Sequence, residues 1–237
     1  MQRSDGRFPV QLRPFSITSK VIPYCFSSVA VEVCGTRVVC CIRGPQQLTS
    51  EFRPHKGKVS CTVHFAPFVA GGAVENKNNS SASKKYAAGV EKELALILEG
   101  ITEQWVLLET LPQLQLEALF EVLSVDGCVL SALVSALNAA LILGGLDVVD
   151  IVASSTVASM MSKGEGDAMV LVCDPTLGEL VAATSHCTVV ACTSTGQILY
   201  VNCDGPTTVE VCSGLVNAAV ECCRYQREVV VSQLNLE

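Results

Sequence analysis

From Gly127 to Leu146 the chain is long and apolar enough to raise the question of a membrane crossing. Ser131, Ser135 and Asn138 interrupt the run and no basic residue flanks it closely, so it reads as a helix buried in protein rather than in lipid. Leu130, Leu133, Val134, Leu137 and Leu141 fall on one face, Ser131 and Ser135 fall off it, and Gly144-Gly145 stops it. A chain of 237 residues that is 49% apolar and only 16% charged must hide such a helix inside itself or against partners.

The rest of the sequence supplies the surroundings. Val29, Val31 and Val33 alternate with Ala30 and Glu32, and Cys34-Gly35-Thr36-Arg37 turns the chain into Val38–Ile42, a hairpin whose second strand ends at Gly44-Pro45. A strand follows at about Val59 to Phe65. Residues 71–85 are rich in glycine, asparagine, serine and lysine, and are expected to form an exposed, mobile loop. Val90, Leu94, Ile97, Ile101 and Trp105 then mark an amphipathic helix. Leu114, Leu116 and Ala118 alternate with Gln113, Gln115 and Glu117 in a strand that leads to Asp126-Gly127.

Strands recur near Ile151–Ala158, Met169–Cys173, Thr188–Cys192 and Ile198–Asn202. A closing helix carries Val211, Leu215, Ala218, Cys222, Tyr225 and Val229 on one stripe. The order describes an α+β unit over 1–237, with two similar lobes at about 1–150 and 151–237.

Met1-Gln2-Arg3-Ser4-Asp5-Gly6-Arg7 is polar, so no secretory leader is expected, and Asn78-Asn79-Ser80 reads as a chance sequon. Several of the thirteen cysteines sit inside apolar runs such as Val38-Val39-Cys40-Cys41-Ile42, where they act as small hydrophobes in a reducing compartment. The net charge of −7 argues against a stand-alone nucleic-acid binder, so any such contact must be local or shared.

Arg3, Asp5, Gly6, Arg7 and Arg13-Pro14 form an opening pattern. Ser28, Glu32, Gly35-Thr36-Arg37-Val38 and Gly44-Pro45 form a hairpin pattern, Asp126-Gly127 precedes the central helix, and Asp147 to Asp150 follow it. In order and spacing these resemble the RNase PH superfamily along most of the chain. His64-Phe65-Ala66-Pro67-Phe68, Glu91-Lys92-Glu93-Leu94-Ala95-Leu96 and Asp174-Pro175-Thr176 resemble the mRNA-transport-regulator type of exosome ring subunit. The resemblance implies an RNase PH-like fold (ribosomal protein S5 domain 2-like), with mixed sheets and helices packed on them. It also implies a heterodimer within a hexameric ring of RNase PH-like subunits, S1/KH cap proteins, a separate hydrolytic nuclease, and RNA in the central channel. Roles in RNA processing and degradation, rRNA processing included, in nucleus, nucleolus and cytoplasm follow from it, as does the absence of any membrane or cofactor.

An active member brings inorganic phosphate against an RNA 3′ end, so two anions must be held together by arginine forks and helix-end donors. The family's threonine-arginine-threonine pattern at the start of the central helix corresponds here to Val129, Leu130 and Ser131. Leucine cannot neutralise phosphate, so Leu130 reads as a core residue, and only Ser131 and the helix-start amides could meet an anion. No arginine lies between Arg53 and Arg224, and Glu91, Glu93, Glu99 and Glu103 stand where the family's substrate arginines fall. In the later acidic motif Asp174 matches the first aspartate, but Leu180 and His186 stand at the next two, with Glu179 nearby. Asp174 then reads as a turn-former before Pro175, and His186 as a partly exposed strand residue.

The resemblance therefore points to a non-catalytic ring subunit with a degenerate phosphorolytic site. An active phosphate-dependent 3′–5′ exoribonuclease with relocated cations is the alternative, and an unrelated metabolic enzyme a third reading. His186, Cys187 and Cys192 lack a paired Cys-x-x-Cys and a fourth ligand, which argues against a metal site. Arg53, Lys56, Lys84 and Lys85 fall in loops that approach the channel in the resembling rings, and read either as sequence-blind phosphate contacts or as ordinary solvated charge.

Overall fold

The computed structural model describes residues 3, 5–47, 56–72, 80–161 and 169–234, with the side chains of 70–72 and 80–87 outside that description. Four strands open the fold: β1 (Phe15–Ser19), β2 (Ser27–Val33), β3 (Thr36–Gln47) and β4 (Lys58–Phe65). Next come α1 (Pro67–Gly72), α2 (Ser80–Trp105), β5 (Leu114–Ser124) and α3 (Val129–Leu143). The second half is β6 (Val152–Met161), β7 (Met169–Cys173), α4 (Leu177–Ala182), β8 (Ser185–Cys192), β9 (Ile198–Asp204) and α5 (Val209–Leu234). The first sheet runs β1-β2-β3-β5-β4, antiparallel except for the parallel β4–β5 pair, and the second runs β7-β6-β8-β9, antiparallel throughout. This is the mixed-sheet α+β architecture expected from the sequence.

Helix α3 sits between the sheets, packed on β2 and β3 of one and β6 of the other. This position explains its composition. Leu133, Leu137 and Leu141 have no exposed surface, and each is worth about 1.5–3 kcal/mol in transfer from water. Ser131 and Ser135, expected off the apolar face, are also buried, because the helix is covered all round. Helix α5 covers the other face of the second sheet, where Val157, Cys187 and Val189 meet Leu215, Ala219 and Cys222. Its buried set also includes Cys223 and Val230, so the stripe is rotated from the expected one and leaves Tyr225 and Val229 exposed. Among the described residues no helix is long and apolar enough to cross a membrane.

Other local expectations need correction. Strand β3 continues through a cis Gly44-Pro45 bond to Gln47, with an irregularity in its pairing to β5 between Arg43 and Gln46. Of the loop expected at 71–85, residues 71–72 close α1, residues 80–85 belong to α2, and 73–79 lie outside the described residues. Alanine and lysine favour helix strongly enough to extend α2 there despite the polarity. Strand β1 and helices α1 and α4 were not read from the sequence, being short or weakly patterned.

Glu91 and Glu99 have a role that charge counting missed. Strand β4 is an edge, and its free amides need acceptors. Glu91 Oε1 accepts from Phe65 N and Glu99 Oε1 from Cys61 N, both at 2.9 Å. Among the described residues, the buried side-chain atoms with no hydrogen-bond partner are the Ser154 and Ser155 hydroxyls, Gln226 Oε1 and both amide atoms of Asn138, which is fully buried in α3. Asn138→Leu keeps the branched shape and removes that desolvation penalty. It is expected to raise stability by about 1–2 kcal/mol, read as a higher denaturation midpoint.

Candidate functional site

The loop from Asp126 to Cys128 delivers the start of α3 to the second sheet. Thr36 holds it: its hydroxyl donates to Gly127 O at 3.0 Å and accepts from Asp126 N at 2.9 Å. Gly127 has φ +79°, and a Cβ there would lie 3.0 Å from Pro175 O and 3.1 Å from Leu177 N, so the two loops approach as closely as glycine permits. This contact is what brings the expected site positions into one region.

Two separate concavities flank that contact. One is a cleft of about 250 Å³ lined by Val90, Glu93, Leu94 and Ile97 of α2, Cys128, Val129 and Leu130 at the start of α3, Thr156, Leu180, His186, Thr188, Tyr200 and Asn202. Leu130, Leu180 and His186 therefore do meet. Leu130 packs partly against the core, as expected, but it also forms part of the cleft wall. His186 is half-buried on β8, with Nε2 3.5 Å from Asp204 Oδ2. No lysine or arginine is among the described residues that line the cleft. Burial, with Glu93 and Asp204 behind it, raises the Tyr200 hydroxyl above its usual range, and burial with Asp174 nearby pushes the Cys128 thiol up to about 12. In both cases burial is the larger cause and a neighbouring carboxylate the smaller.

Ser131 and Asp174 are not in this cleft. Both line a second cavity of about 300 Å³ with Leu12, Arg13, Phe15, Ser135, Gln226 and Val230. The Ser131 hydroxyl donates to Ser154 O, so its hydrogen is committed to the β6 backbone rather than held out to an anion.

Asp174 is more than a turn-former. It takes φ +49°, is buried, and accepts from Arg13 Nε (3.0 Å), Arg13 Nη2 (2.7 Å) and Arg13 N (3.0 Å). Arg13 Nη1 reaches Asp126 O at 2.8 Å, tying the α3 loop to the same node. Arg3 makes a second fork onto Glu179, at 2.8 and 2.6 Å, and also donates to the carbonyls of Cys173 and Asp174. Arg7 lies beside both carboxylates, each at 4.0 Å, while its Nε bonds Asp5 at 2.5 Å. Sequence reading had all these residues but did not join them. The signal was an arginine-rich opening in a chain with few later cations.

Burial favours the neutral form of Glu179, but the Arg3 fork and the Thr176 amide outweigh it and hold the carboxyl below its usual range. A depressed carboxyl stabilises the fold above its unfolded value, near about 4.3, and that contribution is lost as pH falls through the lower folded value. Urea titrations below about pH 4.3 should therefore show the wild type losing stability more steeply than Glu179→Gln.

The other expected positions scatter. Lys56 is exposed and pairs with Glu109 at 3.2 Å, as ordinary surface charge does. Arg53 and the side chains of Lys84 and Lys85 lie outside the described residues. His186, Cys187 and Cys192 do not converge: His186 lines the cleft, Cys187 faces α5, and Cys192 joins the core around α3. Among the described residues no group of three or more His, Cys, Asp or Glu could hold a metal ion.

Two sheets clasping one buried helix, with a cleft where that helix starts, define an RNase PH-like fold. The chain belongs to the 3′ exoribonuclease (RNase PH) family: the family's domain 1 matches residues 11–147, more than half of the chain. Among curated relatives, exosome complex component Rrp41 of Pyrobaculum arsenaticum is 27% identical over 157 residues, covering 65% of this chain and 61% of that protein. The chain thus spans 58–61% of the length of the Pyrobaculum relatives at the head of the comparison. Putative exosome complex component RRP41 of Caenorhabditis elegans is 25% identical over 99% of this chain and 93% of that protein. Exosome complex component MTR3 of Mus musculus is 27% identical over 72% of this chain and 63% of that protein. The rice Rrp46 crystal structure superimposes with a TM-score of 0.78 at 20% identity, covering 98% of this chain and all of that one. A chain of the Archaeoglobus fulgidus exosome with RNA bound to the active site superimposes at 0.74, with 20% identity over 96% and 92% of the two chains.

Proposed function

We propose that this chain is a non-catalytic subunit of an RNA exosome core ring, scaffolding 3′–5′ RNA processing and degradation and helping to line the RNA channel. The observation that carries the reading is the cleft lining: Leu130, Leu180, His186 and Glu93 stand where phosphorolysis needs guanidinium groups and carboxylates. Arg3 and Arg13 are buried and spent on Glu179 and Asp174. Two phosphate groups brought together in that cleft would meet no lysine or arginine among the described residues that line it.

The curated relatives carrying the name exosome complex component support the ring assignment. In this reading the partners are other RNase PH-like ring subunits, S1/KH caps and a separate hydrolytic nuclease, in nucleus, nucleolus and cytoplasm. Exposed Phe8, Tyr24, Phe68 and Val181 supply the apolar surface that such contacts would cover.

The deciding experiment incubates the purified chain, alone and in its co-purified assembly, with 3′-labelled RNA and orthophosphate. Nucleoside diphosphate release is expected at background from the isolated chain. Phosphate-dependent release abolished by Asp174→Asn in a folded variant would establish the active exoribonuclease instead. Affinity capture followed by mass spectrometry tests the assembly, and recovery without any RNase PH-like protein would refute ring membership.

A further inference from the structure

Of the thirteen cysteines, only one pair sits directly opposite in a sheet: Cys187 of β8 against Cys203 of β9. Residues opposed in antiparallel strands have Cα atoms about 4.5–5.5 Å apart, inside the roughly 4.4–6.8 Å that a disulfide spans. Their side chains already face each other, with sulfur atoms 2.8 Å apart, and Cys212 of α5 lies 3.7 Å from the Cys203 sulfur. Cys187 is fully buried, whereas Cys203 and Cys212 are partly exposed. A solvent-borne oxidant therefore reaches Cys203 before Cys187.

We propose that Cys187 and Cys203 are a modification site, oxidised reversibly to an intrachain disulfide by hydroperoxides. The Cys203 thiolate attacks the peroxide O–O bond, giving a sulfenic acid and releasing an alcohol or water. The Cys187 sulfur then displaces the sulfenic oxygen, which leaves as water with the Cys187 proton. Two thiols lose two electrons and two protons in total, and the peroxide is reduced.

Burial and the neighbouring thiols hold Cys187 above the ordinary thiol range, so closure, which needs its thiolate, is slow near neutral pH and becomes faster as pH rises. The link would tether β9, the free edge of the second sheet, to β8. Tyr200 and Asn202 of β9 and His186 and Thr188 of β8 line the cleft, so oxidation would stiffen one wall of it.

The test treats the full chain, in the assembly it purifies with, with hydrogen peroxide, blocks remaining thiols, and maps linked peptides by mass. The expected product is a Cys187–Cys203 peptide pair, lost with dithiothreitol, accompanied by slower amide exchange in β9. Cys212→Ser should still form it, and Cys187→Ser and Cys203→Ser should not. The wild-type map decides the matter even where a variant fails to fold. Absence of the linked peptide at doses that oxidise free glutathione, or a link through Cys212 in its place, would overturn the proposal.

Discussion

Arg13→Ala is expected to destabilise the fold by about 3–5 kcal/mol, measured as a lower urea midpoint with an unchanged slope. The side chain of Arg13 is almost entirely enclosed, and its guanidinium makes two bonds to Asp174 and two to Asp126, one at the carbonyl and one at the carboxylate. Burial alone would favour a neutral guanidinium, but the Asp174 carboxylate outweighs it and keeps Arg13 charged above its usual range. Truncation leaves the Asp174 carboxylate buried, with the Arg13 amide and a distant Arg7 as its remaining partners. It also releases the loop that starts α3, because the Asp126 carbonyl loses its donor. Arg13→Lys should fall between, since one ammonium cannot reproduce the fork. A loss below about 0.5 kcal/mol for Arg13→Ala would mean that the node is not what joins the opening segment to the second sheet.

Fold class was legible because it depends on period. The 2-residue alternation of β2 and β5 and the 3.6-residue stripe of α2 appear directly in the residues, and their order restricts the architecture. The rotation of α5 was not legible, because cysteine and alanine stand on both sides of its stripe and only packing against β6 and β8 decides between them. The true extent of β3 was hidden by Gly44-Pro45, which ends most strands but here lies within one.

Within the candidate site, Leu130, Leu180 and His186 were placed by spacing from Asp126-Gly127 and Asp174, and they share one wall-to-wall cleft. Ser131 was misplaced for a simple reason. One residue along a helix turns the side chain by about 100°, enough to send it from the cleft to the β6 backbone. Asp174 was misjudged because its partners lie 161 residues away in sequence for Arg13 and 167 for Arg7, a pairing no local pattern encodes. The acids of α2 likewise separate only in three dimensions: Glu93 borders the cleft, while Glu91 and Glu99 serve the β4 edge.

This division makes a gain of anion binding possible at chosen positions. In the variant Leu130→Arg combined with Glu93→Gln, orthophosphate is expected to bind about 10–100-fold more tightly than to the wild type, the effect of one charge-assisted contact worth about 1.5–3 kcal/mol. Leu130 already lines the cleft and is only half-buried, so its replacement can extend into open space without displacing the core. Glu93→Gln removes the carboxylate that borders the same space. Calorimetric titration with phosphate measures the change, and amide shifts at 128–130 and 186 locate it. Nucleoside diphosphate release should stay at background in this variant, because Leu180 and His186 still offer no carboxylate to handle the leaving group. Tight phosphate binding by the unaltered cleft would contradict the electrostatic basis of this expectation, since the same Leu130 and Glu93 would then be tolerating the anion they are expected to exclude.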